Sequence, residues 1–290
     1  MFKTILVPIV AGDGSMASVE AALLVGKPFA AHITGLYVKP DVIGAMPLIG
    51  EGMSGVMVEE MVETTRREAA AHVAEAKAGF ERLRVLHEIP EDVTPKDVAA
   101  GTASLSMAWR EETGREDEVV ALLGRTSDLI VMIRPHSGRE STSEMTVNSA
   151  LMESGRPVLL VPPKPPSTLG RRIVIAWNGS IEAARAVSAA MPLLTRAESV
   201  SVVVAVHEET CCDARELVTQ LSWRGVVADI RRVALSGAKF GPSLLEEAAA
   251  RYADLIVMGA YTHSRLRQLL LGGVTRHVLE KSGLPVLLSH

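Results

Sequence analysis

Short apolar runs alternate along this chain with longer amphipathic stretches. The runs Lys3–Val7, Ile173–Ala176, Ser199–Val206, Leu255–Met258 and Val286–Leu288 are β-branched and almost wholly apolar. Strands of that kind are buried on both faces, as in a parallel sheet covered by helices. Between them, Ile181–Leu194 is Ala-rich, with an apolar stripe through Ala183, Val187, Ala190 and Leu194 at helical spacing. Leu244–Tyr252 repeats that pattern just before Asp254, and Val274–Lys281 stops at Ser282-Gly283, a helix ending with Gly beyond it. Strand alternating with helix predicts a doubly wound α/β fold. Strands are expected near 3–9, 31–38, 104–110, 128–133 and 157–161, and again near 172–177, 199–206, 227–234, 255–259 and 285–289. The first set carries a longer insert after its second strand. There the Gly- and Met-rich Gly44–Gly55 reads as a loop and Val56–Leu83 as one long helix, whose charges (Glu59, Glu60, Glu63, Arg66, Arg67, Glu68) form a solvated face.

The two sets of strands are two copies of one pattern. Asp128-Leu129-Ile130-Val131-Met132 recurs as Asp254-Leu255-Ile256-Val257-Met258, and Ser154-Gly155-Arg156-Pro157-Val158-Leu159-Leu160 as Ser282-Gly283-Leu284-Pro285-Val286-Leu287-Leu288. The copies also begin alike: Ile5-Leu6-Val7-Pro8 leads to Asp13-Gly14-Ser15, and Ile173-Val174-Ile175-Ala176 to Asn178-Gly179-Ser180. Three anchors in one order imply a domain written twice. The expected domains are 1–163 and 168–290, joined by the stiff linker Pro162-Pro163-Lys164-Pro165-Pro166-Ser167.

Composition adds exclusions. With 3% aromatic residues, the chain lacks the platforms on which a base-stacking nucleic-acid binder relies. A net charge of −4 gives no general attraction to polyanions or acidic membranes. That net value hides a division. Residues 1–166 carry 16 Lys and Arg against 23 Asp and Glu, whereas residues 167–290 carry 14 against 11, so the second half is the better host for an anion. The start of the chain reads neither as a signal peptide nor as a transit peptide. No window holds 18 apolar residues without charge, so no transmembrane helix is expected. The adjacent Cys211 and Cys212 fit no zinc spacing and read as two ordinary thiols of a reducing cytosol.

Candidate chemistry collects in two polar, Gly-containing loops of the second copy. Asn178-Gly179-Ser180 reads either as a turn with Ser180 capping the next helix, or as a hydrogen-bonding edge for a ligand. The other loop begins at Met258-Gly259 and runs through Thr262, His263 and Arg265 to Gly272-Gly273-Val274-Thr275. Glycines let backbone N–H groups approach an anion, and a helix N-terminus adds partial positive charge. The hydroxyls of Thr262 and Thr275, with His263 and Arg265, would complete a phosphate cradle.

This second loop resembles the C-terminal signature of the universal stress protein family, Gly-x2-Gly-x9-Gly-Ser/Thr, followed by a helix and a Pro-Val-Leu strand. With the Asp-Leu-Ile-Val-Met strand and the Gly-Ser loop in both copies, the whole chain resembles a tandem member. The resemblance implies a five-stranded parallel sheet per copy, in the order 3-2-1-4-5, with a switch point between strands 1 and 4. It also implies ATP or a related adenine nucleotide, with Mg²⁺ for any hydrolysis. Asn178 would stand on the adenine side, Val206 would flank the base, and Gly259 and Gly272 would host phosphates. Thr262 stands where the motif has its second glycine, and Gly273 where it has Ser or Thr. The first copy departs further. Ile133-Arg134-Pro135-His136-Ser137-Gly138 follows its strand, and Met145-Thr146-Val147-Asn148 opens its next helix, so it is expected to be structural, with Arg134, His136 and Arg139 read as a solvated loop and a site for some other anion as the alternative. In the family, domains pair through the edge strand near the C-terminus. Here Val158–Val161 and Val286–Leu288 are expected to pair within the chain as a pseudo-dimer, with a homodimer of chains as the alternative.

No Ser-His-Asp order, metal-binding His cluster or GxSxG motif appears. His207, beside Glu208 and Glu209, reads as a strand-end histidine. His263 and His277 lie near the proposed cradle without an evident carboxylate orienter. The expected function is a cytoplasmic stress-response protein that senses or signals through a bound adenine nucleotide. An interaction module without nucleotide and a slow ATPase are the alternatives.

Overall fold

The computed structural model of this chain describes residues 1–10, 14–40, 55–90, 93–99, 104–135, 142–206, 214–234, 240–260 and 273–290. The first half contains β1 (Thr4–Pro8), α1 (Gly14–Gly26), β2 (His32–Lys39), α2 (Gly55–Leu86), α3 (Pro95–Ala99), β3 (Ser106–Thr113), α4 (Glu116–Gly124), β4 (Leu129–Ile133), α5 (Glu144–Glu153) and β5 (Val158–Val161). The second half contains β6 (Arg172–Trp177), α6 (Ile181–Leu194), β7 (Ser199–Val206), α7 (Ala214–Ser222), β8 (Ala228–Ala234), α8 (Phe240–Ala250), β9 (Leu255–Gly259), α9 (Gly273–Lys281) and β10 (Val286–Ser289).

The strands form one ten-stranded sheet in the order β3-β2-β1-β4-β5-β10-β9-β6-β7-β8. Each half has the order 3-2-1-4-5, and every pairing within a half is parallel. The halves meet where β5 and β10 pair antiparallel, with Leu159 opposite Leu287. Two edges that would otherwise expose unpaired backbone groups thus satisfy each other.

Alternate strand residues feed opposite faces, as the two-residue period requires. Ile5, Val7, Val131, Ile173, Val257 and Leu287 join one buried cluster under α1, α2, α6 and α7. Leu6, Ile130, Met132, Val174, Ile256 and Val286 join the other under α4, α5, α8 and α9. The first cluster runs unbroken through both halves, and Arg196 at the end of α6 lies over the Phe29 ring, 5.7 Å from its centroid.

The repeated aspartate has a structural task. Asp128 Oδ2 accepts from the backbone N–H groups of Lys3 (2.7 Å) and Thr4 (3.0 Å), and Asp254 accepts from those of Arg171 (3.1 Å) and Arg172 (3.0 Å). Each carboxylate staples the start of its half's first strand to the fourth.

Helix α6 spans the residues expected for it. Helix α8 starts four residues earlier than expected and ends before Tyr252, whose φ of 50° is left-handed. Strand β3 runs past the expected Arg110 to Thr113, because Tyr37, Val38 and Lys39 of β2 pair with Glu111, Glu112 and Thr113. Among the described residues, no helix is long and apolar enough to cross a membrane. The insert residues 44–54, and His207, Glu208, Glu209, Cys211 and Cys212, lie outside the described residues.

Candidate functional site

The winding direction of the second half reverses between β6 and β9, which are hydrogen-bonded neighbours. In an open α/β sheet, the crevice beyond the carboxyl ends of such strands is where ligands bind. Three elements meet there. The loop after β6 carries Asn178-Gly179-Ser180 into α6. Strand β9 ends at Met258-Gly259. Helix α9 runs back from this edge to feed the parallel strand β10, so its first turn, Gly273-Val274-Thr275, lies at the same edge.

The first loop is locally self-sufficient. Asn178 Oδ1 accepts from the Ser180 N–H (3.1 Å), and Ser180 Oγ accepts from the Ala183 N–H (3.1 Å), capping α6. Gly179 has φ +72°, a conformation that side chains strain to adopt. Asn178 and Gly179 are exposed at the mouth of the crevice. The Asn178 carbonyl oxygen is thus committed to the turn, and the side-chain amide N–H₂ is the part suited to a ligand.

Gly259 has a packing reason to be glycine. A Cβ there would come within 2.5 Å of the Ala183 backbone nitrogen and 2.7 Å of the Glu182 carbonyl carbon. The first turn of α6 is therefore seated directly on the end of β9, and its backbone dipoles open onto the crevice. Val206 closes one side. It is half-buried at the end of β7, two positions beyond Val204, which pairs with Trp177.

At α9, Gly273 is exposed and Val274 half-buried, whereas Thr275 is only 5% exposed. The Thr275 side chain faces the protein interior rather than the open end of the helix. His277 packs against α8, its ring within 2.8 Å of where a Cβ on Gly241 would stand. Thr262, His263, Arg265 and Gly272 lie outside the described residues. Among the described residues, no group of three or more His, Cys, Asp or Glu side chains is arranged to hold a metal ion.

The corresponding edge of the first half is built differently. Ser143 caps α5 by accepting from the Thr146 N–H (3.0 Å), and the Glu116 carboxyl at the start of α4 hydrogen-bonds the Thr146 side chain. Burial pushes the Glu116 carboxyl above the ordinary glutamate range; the Thr146 bond opposes that shift, and the neighbouring Asp117 adds to it. An acid thus stands near the helix start where a phosphate site would present donors. A folded-state value above the unfolded one means that the native protein binds more protons. The associated stability is therefore full at acid pH and is lost as pH rises through the folded value. Glu116→Gln is expected to melt above the wild type at neutral pH, with the gap closing as pH falls below the ordinary glutamate range. Melting curves across that interval check both the sign and the window.

Arg134 corrects the expectation of a solvated loop. It is 7% exposed, and its guanidinium donates to the backbone carbonyls of Ser282 and of Leu284 (2.7 Å), across the junction between the halves. Burial lowers its pKa to about 10, so it stays charged at neutral pH. Its sequence position, one residue past an apolar strand, carries no sign of this contact. His136 and Arg139 lie outside the described residues.

Residues 208–290 match the model of the Universal stress protein family. A universal stress protein of Synechocystis sp. is 49% identical over 47 residues, which cover 14% of this chain and 16% of that relative. The chain therefore spans only a small part of the curated relative it matches. Among solved structures, a universal stress protein from Archaeoglobus fulgidus DSM 4304 superposes with a TM-score of 0.67 at 15% identity, covering 99% of this chain and 97% of that one. A functionally unknown protein from Pseudomonas aeruginosa PAO1 superposes with a TM-score of 0.56 at 14% identity, covering 99% and 92%. At such identities the likeness is one of fold.

Proposed function

Residues 208–290 belong to the universal stress protein family, and from that premise we propose that the chain is a cytoplasmic stress-response protein whose second half binds ATP or a related adenine nucleotide. The observation that carries this reading is the convergence of the α6 and α9 N-termini at the β6/β9 switch point. Two helix starts there supply backbone donors and partial positive charge to one crevice in the more basic half of the chain. Asn178 would meet the adenine edge through its amide N–H₂, and Val206 would flank the base with aliphatic surface. Met258 and Gly259 would line the floor. Gly272, Gly273 and Val274, with Thr262, His263 and Arg265, would surround the phosphates. Mg²⁺ would accompany the phosphates in solution. In this reading residues 1–163 and 168–290 are two domains held as a pseudo-dimer within one chain, and the nucleotide acts as a signal rather than as a substrate.

A second reading has its own observation. Asn178 Oδ1 is committed to a turn and Gly259 to helix packing, so both motif residues have structural reasons to be present. An interaction module that binds another protein without nucleotide would keep them. The two readings separate in a thermal melt. Millimolar ATP with Mg²⁺, at about a hundred times its Kd, adds about 2.7 kcal/mol of stability if it binds only the folded protein. That is a rise of roughly 5–10 °C for a chain of this size. An unchanged melting temperature, with no adenine nucleotide in the purified protein, would leave the interaction module standing.

A further inference from the structure

We propose that Arg134 is a positioning residue through which the first half holds helix α9, and with it the ligand edge of the second half. The halves differ in how they secure the turn between their last helix and last strand. In the first half that turn is Ser154-Gly155-Arg156, and it is locked from within. Arg156 donates to the Arg125 carbonyl (3.1 and 2.7 Å), and Arg125 Nε donates to the Glu153 carbonyl (3.2 Å). In the second half the matching residues cannot repeat this. Leu284 stands where Arg156 does. Arg251, the counterpart of Arg125, donates instead to Ser201 Oγ (3.1 Å) and to Glu247. Both turns share one internal bond, from the Leu284 N–H to Ser282 Oγ (3.0 Å) and from the Arg156 N–H to Ser154 Oγ (3.1 Å); beyond it, the turn Ser282-Gly283-Leu284 is held from outside, by Arg134 of the first half, through two of its carbonyls.

The bond is also one-directional. The position matching Arg134 in the second half is Ala260, whose methyl group cannot reach across to the first half's turn. Of the two carbonyls that Arg134 takes, that of Ser282 directly follows Lys281, the last residue of α9, and that of Leu284 lies two residues further on, before β10. At Ser282 the buried cation satisfies a backbone acceptor that the helix end leaves open, and it complements the negative end of the helix dipole; at Leu284 it ties down the turn that follows. Helix α9 is nine residues long, packed against the core through Thr275, Val278 and Leu279. Anchoring its C-terminal end therefore sets where its N-terminal end, Gly273, stands at the crevice. This assigns the first half a task that does not require a ligand of its own. The ligand part of the inference rests on the nucleotide reading above; the anchoring part does not.

The test is hydrogen exchange on the full chain, paired with ATP titration, for the wild type, Arg134→Met and Arg134→Lys. Arg134→Met removes both hydrogen bonds and the charge. Arg134→Lys keeps the charge but not the fork that reaches two carbonyls, and it guards against a methionine variant that does not fold. In the absence of nucleotide, amides of α9 are expected to exchange on the order of tenfold faster in Arg134→Met, with a smaller gain in Arg134→Lys and no change in α6. ATP is expected to bind roughly tenfold more weakly to Arg134→Met, with Arg134→Lys between. Equal acceleration in α6 and α9 would make Arg134 a general stabilising contact and overturn the proposal. So would a loosened α9 with unaltered ATP affinity. If the wild type binds no ATP, the nucleotide reading fails, and the exchange arm still decides the anchor: selective loosening of α9 upholds it and its absence refutes it.

Discussion

Gly259→Ala is expected to be among the most disruptive single-methyl additions in this protein, costing about 3 kcal/mol or more of folding stability. The added Cβ would stand 2.5 Å from the Ala183 nitrogen and 2.7 Å from the Glu182 carbonyl carbon. Both are backbone atoms of the first turn of α6, so no side-chain rotation relieves the clash. Either β9 or the start of α6 must move, and both wall the crevice. Denaturant midpoints measure the loss, and Gly273→Ala is the control. There a Cβ meets nothing within 4 Å, so that change is expected to be neutral or slightly stabilising, by under about 1 kcal/mol. Equal effects at the two positions would show that the approach of α6 to β9 is not what requires glycine at 259.

Leu287→Ala is expected to cost about 2–5 kcal/mol. Leu287 is fully buried on β10, directly opposite Leu159 of β5, and both belong to the cluster that runs through the two halves. Truncation leaves a cavity at the seam, where neighbours from both halves would have to collapse together to fill it. The melting temperature should fall by roughly 5–15 °C. Leu122→Ala, at a side chain 59% exposed on α4, should change stability by less than about 0.5 kcal/mol. Because Leu287 and Leu159 face each other, the double truncation should cost less than the sum of the two singles. Strict additivity would mean that the two strands do not share a packed interface.

Much of this architecture is legible in the residues alone. Each half's buried strands are short β-branched runs, and a chain that alternates such runs with amphipathic stretches has few packed solutions. Helix α6 is plain for a local reason: Ser180 caps it, alanines fill it, and its apolar stripe has the right period. The β6 loop reads correctly as a turn with a cap, because the hydrogen bonds from Asn178 and Ser180 span only two and three residues. The ends of β3 and α8 are less legible. The last residues of β3 are polar and are held by a neighbouring strand, and Tyr252 leaves α8 through a left-handed conformation that side chains rarely adopt.

The candidate site divides in the same way. The sequence by itself determined that one α/β pattern is written twice, that the glycine-rich loop survives in the more basic half, and that the loops after the first and fourth strands of that half carry its polar residues. These follow from periodicity, composition and short-range hydrogen bonding. Tertiary structure alone decided that β5 and β10 close ten strands into one sheet, that Thr275 turns inward, that Gly259 is glycine because α6 rests on it, and that Arg134 is a buried tie between the halves. Each of these depends on surfaces that are distant in the chain, as with the 148 residues that separate Arg134 from Ser282. A local pattern specifies what a segment buries. It does not specify which distant backbone atoms arrive beside it, and at this site those atoms set both the shape of the crevice and the anchor of its helix.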